Sequence, residues 1–458
     1  MIESLRARLA APKDAAALAF FRVAFGVMMA ISAFRFLYYG WIDELIVRPT
    51  FHFTYWGLSF VKPLGAFGMK GVFVALLVLG LTIAAGFFYR ASMALFVLLF
   101  TYVNAIDVTN YLNHYYLIVL LSLLMLTMPL GSAYSVDAWR NPAKSRTTFP
   151  AWCTYLLRFQ IATVYFYAGL AKLSSDWLLH AEPLNIWLNA NAGLPVLGRW
   201  FALRETAIAF SWAGFLFDTT VWAFLLARRT RPYAYVVVIA FHAMTQVLFP
   251  IGMFPTIMVV SALAFFDSSW PRKFAQRFAR RPHTIEPAPT TIAPKPFSRV
   301  GTALLVGYAV LQVLLPLRHY AYDGNVLWHE QGMRFSWKVM CREKSGNVTY
   351  FVTSKDTRRT WEVSPDKYLT ARQLDDFPTQ PDLVLALAHH IQKVEETRLG
   401  VPVEVRAEAH VSLNGRKPAL LIDPSVDLTK IDDGIAQASW ISKEPSSRPL
   451  HLASAYRR

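Results

Sequence analysis

The feature that most constrains this chain is a series of apolar runs long enough to cross a lipid bilayer. About 20 apolar residues span the hydrocarbon core as a helix, and shorter runs can do so inside a bundle. Such runs lie near residues 16–36, 71–89, 92–106, 114–131, 151–173, 207–227, 232–249, 254–268 and 300–317. This pattern predicts a polytopic α-helical membrane protein with about nine transmembrane helices.

The composition excludes an ordinary soluble protein and a disordered chain. Only 17% of the 458 residues are charged and 55% are hydrophobic, whereas a soluble domain has about 25% charged residues. A net charge of +16 would suggest nucleic acid as the partner of a soluble protein. In a membrane protein, an excess of basic residues marks cytoplasmic loops and contacts with anionic lipid. We therefore expect membrane lipid as a partner and no nucleic acid.

The basic residues also predict an orientation. With nine spans, one side of the membrane receives all the clusters, which are Arg6, Arg8 and Lys13, then Arg90, then Arg140, Lys144 and Arg146, then Arg228, Arg229 and Arg231, and finally residues 269–299. The positive-inside rule makes that side cytoplasmic. We therefore expect an integral cytoplasmic (inner) membrane protein with its N-terminus inside. Residues 1–318 form the helical domain, 269–299 a cytoplasmic basic linker, and 319–458 an extracytoplasmic (periplasmic or extracellular) domain.

The last third has the pattern of a small α+β domain rich in β-structure. Residues 348–353 and 360–364 favour strands on either side of a polar turn. Residues 380–399 place leucine, isoleucine and valine on one helical face, and residues 401–413 alternate strictly between apolar and polar. Asn414 and Gly415 then predict a hairpin turn.

Three segments bring polar side chains to the predicted outer ends of the spans. These residues are Asp107, Asn110, Asn113 and His114 before the fourth span, Lys172, Asp176 and Trp177 after the fifth, and His242 and Gln246 in the seventh. Position alone leaves other interpretations open, because a lysine at a span end is often an interfacial anchor and a histidine can cap a helix or pack in a bundle core. Near the cytoplasmic ends, Arg22 and Arg158 are expected to snorkel. No HxH, HExxH or CxxC motif supports a metal site.

Five motifs resemble the vitamin K-dependent γ-glutamyl carboxylase family in their order and spacing. They are YLNHYYLIVLLSLLMLTMP, YFYAGLAKLSSDW, FHAMTQVLFPIGMF, WHEQGMRFSWKVM and VSLNGRKPALLIDPSVDL. The membrane part resembles the horizontally transferred transmembrane domain, and the chain is similar to a compact bacterial member. The resemblance implies a lyase that oxidises reduced vitamin K with O2 to the 2,3-epoxide. The strong base formed on the way removes a γ-proton from a protein or peptide glutamate, CO2 adds there, and no metal is needed.

The resemblance also implies roles for individual residues. Lys172 falls on the family's catalytic lysine, and His114, next to Asn113, falls on its catalytic histidine. Asn113 and His114 are expected to hydrogen-bond the reacting oxygen. The expected quinol-binding residues are Tyr116, Phe241, His242, Met244, Trp337 and Met340. For the glutamate substrate we expect Trp328, from the family's motif, and three arginines outside the family pattern that suit a carboxylate by their charge, Arg334, Arg342 and Arg416. A solvated turn explains Arg416 equally well. An amine in an apolar pocket loses hydration of its charged form, which lowers its pKa and lets it act as a base near neutrality.

The chain departs from the family pattern at two places. Ala171 stands where the family has the first of two lysines, and Gln331, Gly332, Met333 and Arg334 stand where animal members have hydrophobic and aromatic residues. The family's external disulfide cannot form, because Cys153 and Cys341 are predicted on opposite sides of the membrane. Two other functions therefore stay open, a quinol epoxidase without carboxylation and a non-catalytic quinone- or lipid-binding module or transporter.

Overall fold

A computed structural model describes residues 2–249, 251–278 and 297–450. Each predicted apolar segment contains a helix. The bounds are α1 (Ala16–Tyr38), α2 (Gly65–Ala85), α3 (Tyr89–Ala105), α4 (Asn113–Thr127), α5 (Ala151–Leu170), α6 (Arg204–Leu226), α7 (Arg231–Leu248), α8 (Phe254–Ala262) and α9 (Arg299–Leu317). Residues 279–296 of the predicted linker lie outside the described residues.

Length and hydropathy support a helical membrane protein. Within the described ranges, four helical segments are long and apolar enough to cross a membrane, namely α1, α2, α6 and α9 with its extension to Ala321. The helices α3, α4 and the segment Phe254–Phe265 are apolar but shorter. Nine spans thus remain a prediction, because length and composition decide only four of them.

Short elements collect the N-terminus and the basic segments at one end of the helices. Strands β1 (Pro12–Asp14) and β2 (Thr148–Pro150) pair antiparallel, and Arg272 forms an ion pair with Asp14 at 2.6 Å.

The shorter helices of the chain are Ile2–Ala10, Val136–Arg140, Ser175–Leu178, Leu184–Ala190, Gly198–Phe201, Trp270–Phe278, Val326–His329 and Ala371–Asp376.

Helices α1 and α2 approach each other closely because glycines face each other between them. A Cβ placed on Gly26 would lie 2.5 Å from the Gly80 carbonyl oxygen, and one on Gly80 would lie 2.7 Å from the Ala30 nitrogen. Small residues at such a contact let helix backbones pack without a hydrophobic driving force, as in other membrane helix pairs.

Arg22 does not snorkel to the surface, although the sequence suggests that it does. Its guanidinium is fully buried and donates to the carbonyls of Ala84, Leu130, Ala133 and Tyr134. Carbonyls from the end of α2 and from the turn at residues 130–134 thus accept hydrogen bonds from the buried guanidinium. Arg158 likewise donates to carbonyls, those of Ala264, Phe265 and Phe266.

The C-terminal part contains the predicted β-structure. Its antiparallel sheet has the order β4-β3-β5-β6, from strands β3 (Lys344–Ser354), β4 (Thr360–Val363), β5 (Val403–Leu413) and β6 (Ala419–Leu420). The helix α10 (Pro381–Leu399) packs on this sheet. In β5 every second side chain is buried, as the alternation predicts. Asn414 and Gly415 both have positive φ in the turn after β5, which fits the predicted hairpin.

The helical part and the C-terminal domain each insert an aromatic side chain into the core of the other. Phe53, from the loop after α1, is fully buried in the core of the C-terminal domain and stacks on Phe377 at 6.1 Å. Trp337, from the segment before β3, is fully buried in the core of the membrane helices. The C-terminal domain is therefore seated on the helices by packing in both directions.

Candidate functional site

Lys172 lies just after α5 in a buried, fully paired position. Its Nζ donates to the Asp218 carboxylate at 2.8 Å, to the Ala168 carbonyl at 3.2 Å and to the Val339 carbonyl at 3.3 Å. The side chains of Lys172 and Asp218 are 5% and 8% exposed. An ammonium group has three N–H donors, so this site holds one acceptor for each of them.

Asp218 belongs to this candidate site and was not identified from the sequence. It lies inside α6, where a single carboxylate interrupts an otherwise apolar stretch. An ionisable residue within an apolar span normally faces the bundle interior and a partner, and this signal could have identified it. The amine of Lys172 therefore sits beside a buried carboxylate and not in a purely apolar pocket.

Asn113, at the start of α4, contacts the same segment of the C-terminal domain as Lys172. Its amide donates to the Lys338 carbonyl at 3.5 Å, and its side-chain oxygen accepts from the Tyr111 hydroxyl at 3.1 Å. The Tyr111 hydroxyl also accepts from the Phe335 backbone nitrogen at 2.9 Å. Tyr111 thus fixes both Asn113 and the incoming segment.

This incoming segment, residues 335–340, has an unusual backbone. Phe335, Trp337 and Met340 have φ of 61°, 57° and 50°, which is the left-handed region that bulky residues rarely adopt. Such conformations persist where the surrounding structure imposes them, and they concentrate at functional sites. Trp337 stacks on Tyr116 with ring centroids 4.8 Å apart, so the strained turn carries a tryptophan between the helices.

His114 and His242 lie on either side of Phe254. The Phe254 ring is 5.9 Å from the His114 ring and 6.1 Å from the His242 ring, measured between centroids. His242 Nε2 is 3.1 Å from the Tyr165 hydroxyl, and its Nδ1 is buried without a hydrogen-bond partner in the structure. The two imidazoles are thus close but do not act on each other directly.

A cavity of about 1000 Å³ opens beside this cluster. Helices α1 and α8 form part of its wall, and Asn113, His114 and Gln246 contribute polar groups. Ile31 and Thr256 line it and are exposed on the outer surface of the helices. The cavity is therefore mostly apolar, has several polar residues in its wall and reaches the exposed surface of α1 and α8.

The cavity brings together only part of the predicted site. Val339 and Met340 line it, and Lys172 reaches its wall through the Val339 carbonyl. The remaining predicted quinol-binding residues lie outside this wall. Tyr116 and Trp337 stack behind it, Phe241 stacks on Phe217 at 3.9 Å beside His242, and Met244 packs against the cluster around Trp177.

The residues predicted for the glutamate substrate make contacts within the C-terminal domain. Trp328 is buried in the domain core and donates to the Ser442 carbonyl at 2.8 Å. Arg334 pairs with Asp382 at 2.5 Å, and Arg342 pairs with Glu330. Glu330 also accepts from Lys344 at 2.9 Å. Burial lowers the pKa of the Lys344 amine to about 8, although Glu330 opposes this shift.

Arg416 has a partner in the membrane part. It donates two hydrogen bonds to the Asp176 carboxylate, at 2.6 and 2.7 Å, and Asn414 donates a third at 2.9 Å. The hydrogen bonds to Asp176 raise the pKa of the Arg416 guanidinium. Since Asp176 follows Lys172 by four residues, this contact connects the hairpin turn after β5 to the segment that contains Lys172.

The structure offers no cluster of metal ligands in the residues that it describes. Groups of three or more histidine, cysteine, aspartate or glutamate side chains with suitable geometry do not occur within the described ranges. Cys153 and Cys341 are both buried and free.

Two protein-family models match the chain. The model of the HTTM domain matches residues 10–270, which is more than half of the chain, and the model of the vitamin K-dependent gamma-carboxylase lumenal domain matches residues 297–447. No solved structure matches the chain. Asn113, His114, Lys172 and Asp218 fall in the first match and residues 335–340 in the second. The site therefore lies where the two matched domains meet.

Proposed function

Because the chain belongs to the vitamin K-dependent gamma-carboxylase family, with an HTTM domain followed by the lumenal domain, we propose that it couples two reactions. It oxidises reduced vitamin K or a related quinol with O2 to the 2,3-epoxide, and it adds CO2 to the γ-carbon of a glutamate in a protein or peptide. One observation carries the proposal. Lys172 and Asn113 donate to the consecutive carbonyls of Val339 and Lys338, next to the cavity that holds His114.

The cavity fits a quinol. An apolar wall suits the ring and the isoprenoid tail, and the polar end formed by Asn113, His114 and Gln246 suits the hydroxyl groups. The exposed lining residues Ile31 and Thr256 give a lateral route from lipid. When bound, the quinol supplies the electrons that reduce O2 and the strong base that carboxylation needs.

The residues around Lys172 suit a base that removes a hydroxyl proton. For this step the amine must start neutral, with two N–H groups and a lone pair. The proton that it takes up gives an ammonium, and its three N–H groups have acceptors in place on Asp218, Ala168 and Val339. Groups arranged in advance around a developing charge lower the barrier without reorganisation. Asn113 and His114 donate to the quinol oxygen that becomes negative. Asp218 acts through Lys172 and is a positioning residue.

The proposed topology has nine spans, with the N-terminus and the basic clusters in the cytoplasm. The pairing of β1 with β2 and the ion pair of Arg272 with Asp14 support it, because they gather the N-terminus, residues 148–150 and the start of the linker at one end. The C-terminal domain packs on the opposite end, beside Asp176 and Phe53. Glutamate substrate then arrives from outside and quinol from the bilayer.

The two half-reactions are tested together but scored separately. Purified protein in detergent is incubated with reduced vitamin K, O2, labelled bicarbonate and a glutamate-containing peptide, and epoxide and fixed label are both measured. We expect both products. Epoxide without fixed label would assign the protein as a quinol epoxidase, and neither product would favour a non-catalytic quinone- or lipid-binding module.

A further inference from the structure

The arginines that the sequence suggests for the substrate carboxylate already have carboxylate partners. Arg334 pairs with Asp382, Arg342 with Glu330 and Arg416 with Asp176. Arg416 also donates Nε to the Ser447 carbonyl at 2.8 Å. A guanidinium with its donors committed in this way must lose existing hydrogen bonds before it can bind a second carboxylate.

Two other arginines line the cavity. Arg35 lies near the outer end of α1, over the Trp41 ring at 5.2 Å, and makes no ion pair with any residue that the structure describes. Arg372 belongs to the helix Ala371–Asp376, is half exposed and pairs at 3.3 Å with Asp376, whose paired oxygen is buried. Apart from this ion pair, the Arg372 guanidinium makes no hydrogen bond to any residue that the structure describes, so most of its five N–H donors are available. Glu44 also lines the cavity, and it is exposed to solvent.

Hydrogen bonds to the membrane part hold the helix of Arg372 beside the cavity. Thr370 and Gln373 form a capping box at the start of its helix. The Gln373 amide then donates to the Asp107 carboxylate at 2.9 Å and to the Phe51 carbonyl at 2.8 Å. Asp107 and Gln373 are both buried, at 1% and 2% exposed. The helix that carries Arg372 is therefore fixed to the membrane part.

We propose that Arg372 and Arg35 bind the γ-carboxylate of the substrate glutamate in the cavity that holds Asn113 and His114. This inference rests on the proposed function and names the residues that select its second substrate. A guanidinium matches a carboxylate with two parallel hydrogen bonds. Removal of a proton from the adjacent γ-carbon moves negative charge onto the carboxylate oxygens. The same contacts therefore strengthen as the proton leaves.

The test compares Arg372→Gln and Arg35→Gln with a matched control, Arg359→Gln. Arg359 is exposed on the turn between β3 and β4 and does not line the cavity. In the two cavity variants we expect the KM for a glutamate-containing peptide to rise about 10- to 100-fold, because a charged hydrogen bond is lost. Epoxide formed without peptide should fall by a smaller factor than carboxylation, Arg359→Gln should keep the wild-type peptide KM, and Arg372→Lys should recover part of the carboxylation.

A second measurement is independent of turnover. Binding of a fluorescently labelled glutamate peptide and of its glutamine counterpart is followed by anisotropy, and the cavity variants should lose the preference for glutamate. Unchanged peptide KM and affinity in both variants, with a wild type active in both half-reactions, would overturn this inference alone. Equal loss of peptide-independent epoxide would also overturn it, because the arginines would then serve the quinol. A wild type that forms no epoxide would contradict the proposed function itself.

Discussion

Lys172 and Asn113 donate hydrogen bonds to two consecutive backbone carbonyls, those of Val339 and Lys338. The lysine follows α5 and the asparagine begins α4, so neither helix brings them together by itself. The segment that does so comes from the C-terminal domain and carries three residues in the left-handed region. The cluster of Lys172, Asn113 and residues 335–340 is thus complete only when both domains are folded and docked.

This relationship explains why residues 335–340 keep a costly conformation. Left-handed backbone in bulky residues costs about 1–3 kcal/mol each. Burial of Trp337 between the helices, its stacking on Tyr116 and the hydrogen bonds that the segment makes with Lys172, Asn113 and Tyr111 act together against this cost.

The first prediction concerns the pair of Lys172 and Asp218. Lys172→Ala should lose epoxidation about 10²- to 10⁴-fold, the usual contribution of a general base. Lys172→Arg should lose it too, because a guanidinium does not give up its proton. The measurement is epoxide formation by purified variants, with Lys70→Ala as control. Lys70 forms an exposed pair with Asp43 at 3.0 Å near the start of α2.

A double variant separates folding from chemistry in this pair. Removing only Lys172 leaves a buried carboxylate unpaired, at a cost of about 3–5 kcal/mol. Lys172→Met combined with Asp218→Leu should recover thermal stability and remain without epoxidase activity. Full epoxidase activity in Lys172→Ala would refute the base assignment.

The second prediction assigns His114 to the quinol half-reaction. His114 lies at the start of α4 and lines the cavity that we propose for the quinol. His114→Ala should lower epoxide formation about 10²-fold or more when no peptide is present, as for the loss of one stabilising donor. His410→Ala, on the exposed face of β5, is the control. Normal epoxide formation with lost carboxylation would move His114 to the glutamate half-reaction.

Hydropathy and alternation predicted the helices and the sheet because each depends on local periodicity. The buried Arg22 and the Lys172–Asp218 pair could not be placed in the same way. Hydropathy treats a charged residue within a span as a minor interruption, and only the tertiary fold shows which carbonyl or carboxylate faces it. The insertion of Trp337 among the helices depends on domain docking, which no local pattern in the sequence records.

The third prediction concerns the close contact of α1 and α2. Gly80→Val should destabilise the protein by about 1–3 kcal/mol or more, because its Cβ meets backbone atoms that cannot move aside. Gly71→Val, on the same helix, has nothing within 4 Å of an added Cβ and should be tolerated better. Thermal unfolding in detergent measures both. Equal stability of the two variants would contradict the packing.

The fourth prediction places the C-terminal domain outside the membrane. Single cysteines replace Lys417, after β5, and Ser145, in the basic segment after α4, both of which are exposed. The background lacks the buried Cys153 and Cys341. In intact cells an impermeant thiol reagent should label Lys417→Cys, and Ser145→Cys should react only after permeabilisation. The reverse pattern would invert the topology.

The fifth prediction decides between a structural and a substrate role for Arg416. Asp176 accepts two of its hydrogen bonds. The side chain of Arg416 is 14% exposed and that of Asp176 is 9% exposed. Arg416→Ala leaves that carboxylate buried and unpaired, so we expect a loss of about 3–5 kcal/mol in thermal unfolding. The control is Lys430→Ala, because the Lys430 side chain is 72% exposed beside Asp427. This substitution should lower the stability by less than about 1 kcal/mol.

The same variant has a second readout that a substrate role would change differently. If Arg416 joins the two domains, Arg416→Met with Asp176→Leu should restore much of the stability, because matched apolar side chains replace a buried ion pair well. The peptide KM of the folded double variant should then stay near that of the wild type. Unaltered stability in Arg416→Ala together with a raised peptide KM would instead assign the guanidinium to the substrate carboxylate. Asp176 would in that case act only as its partner in the absence of substrate.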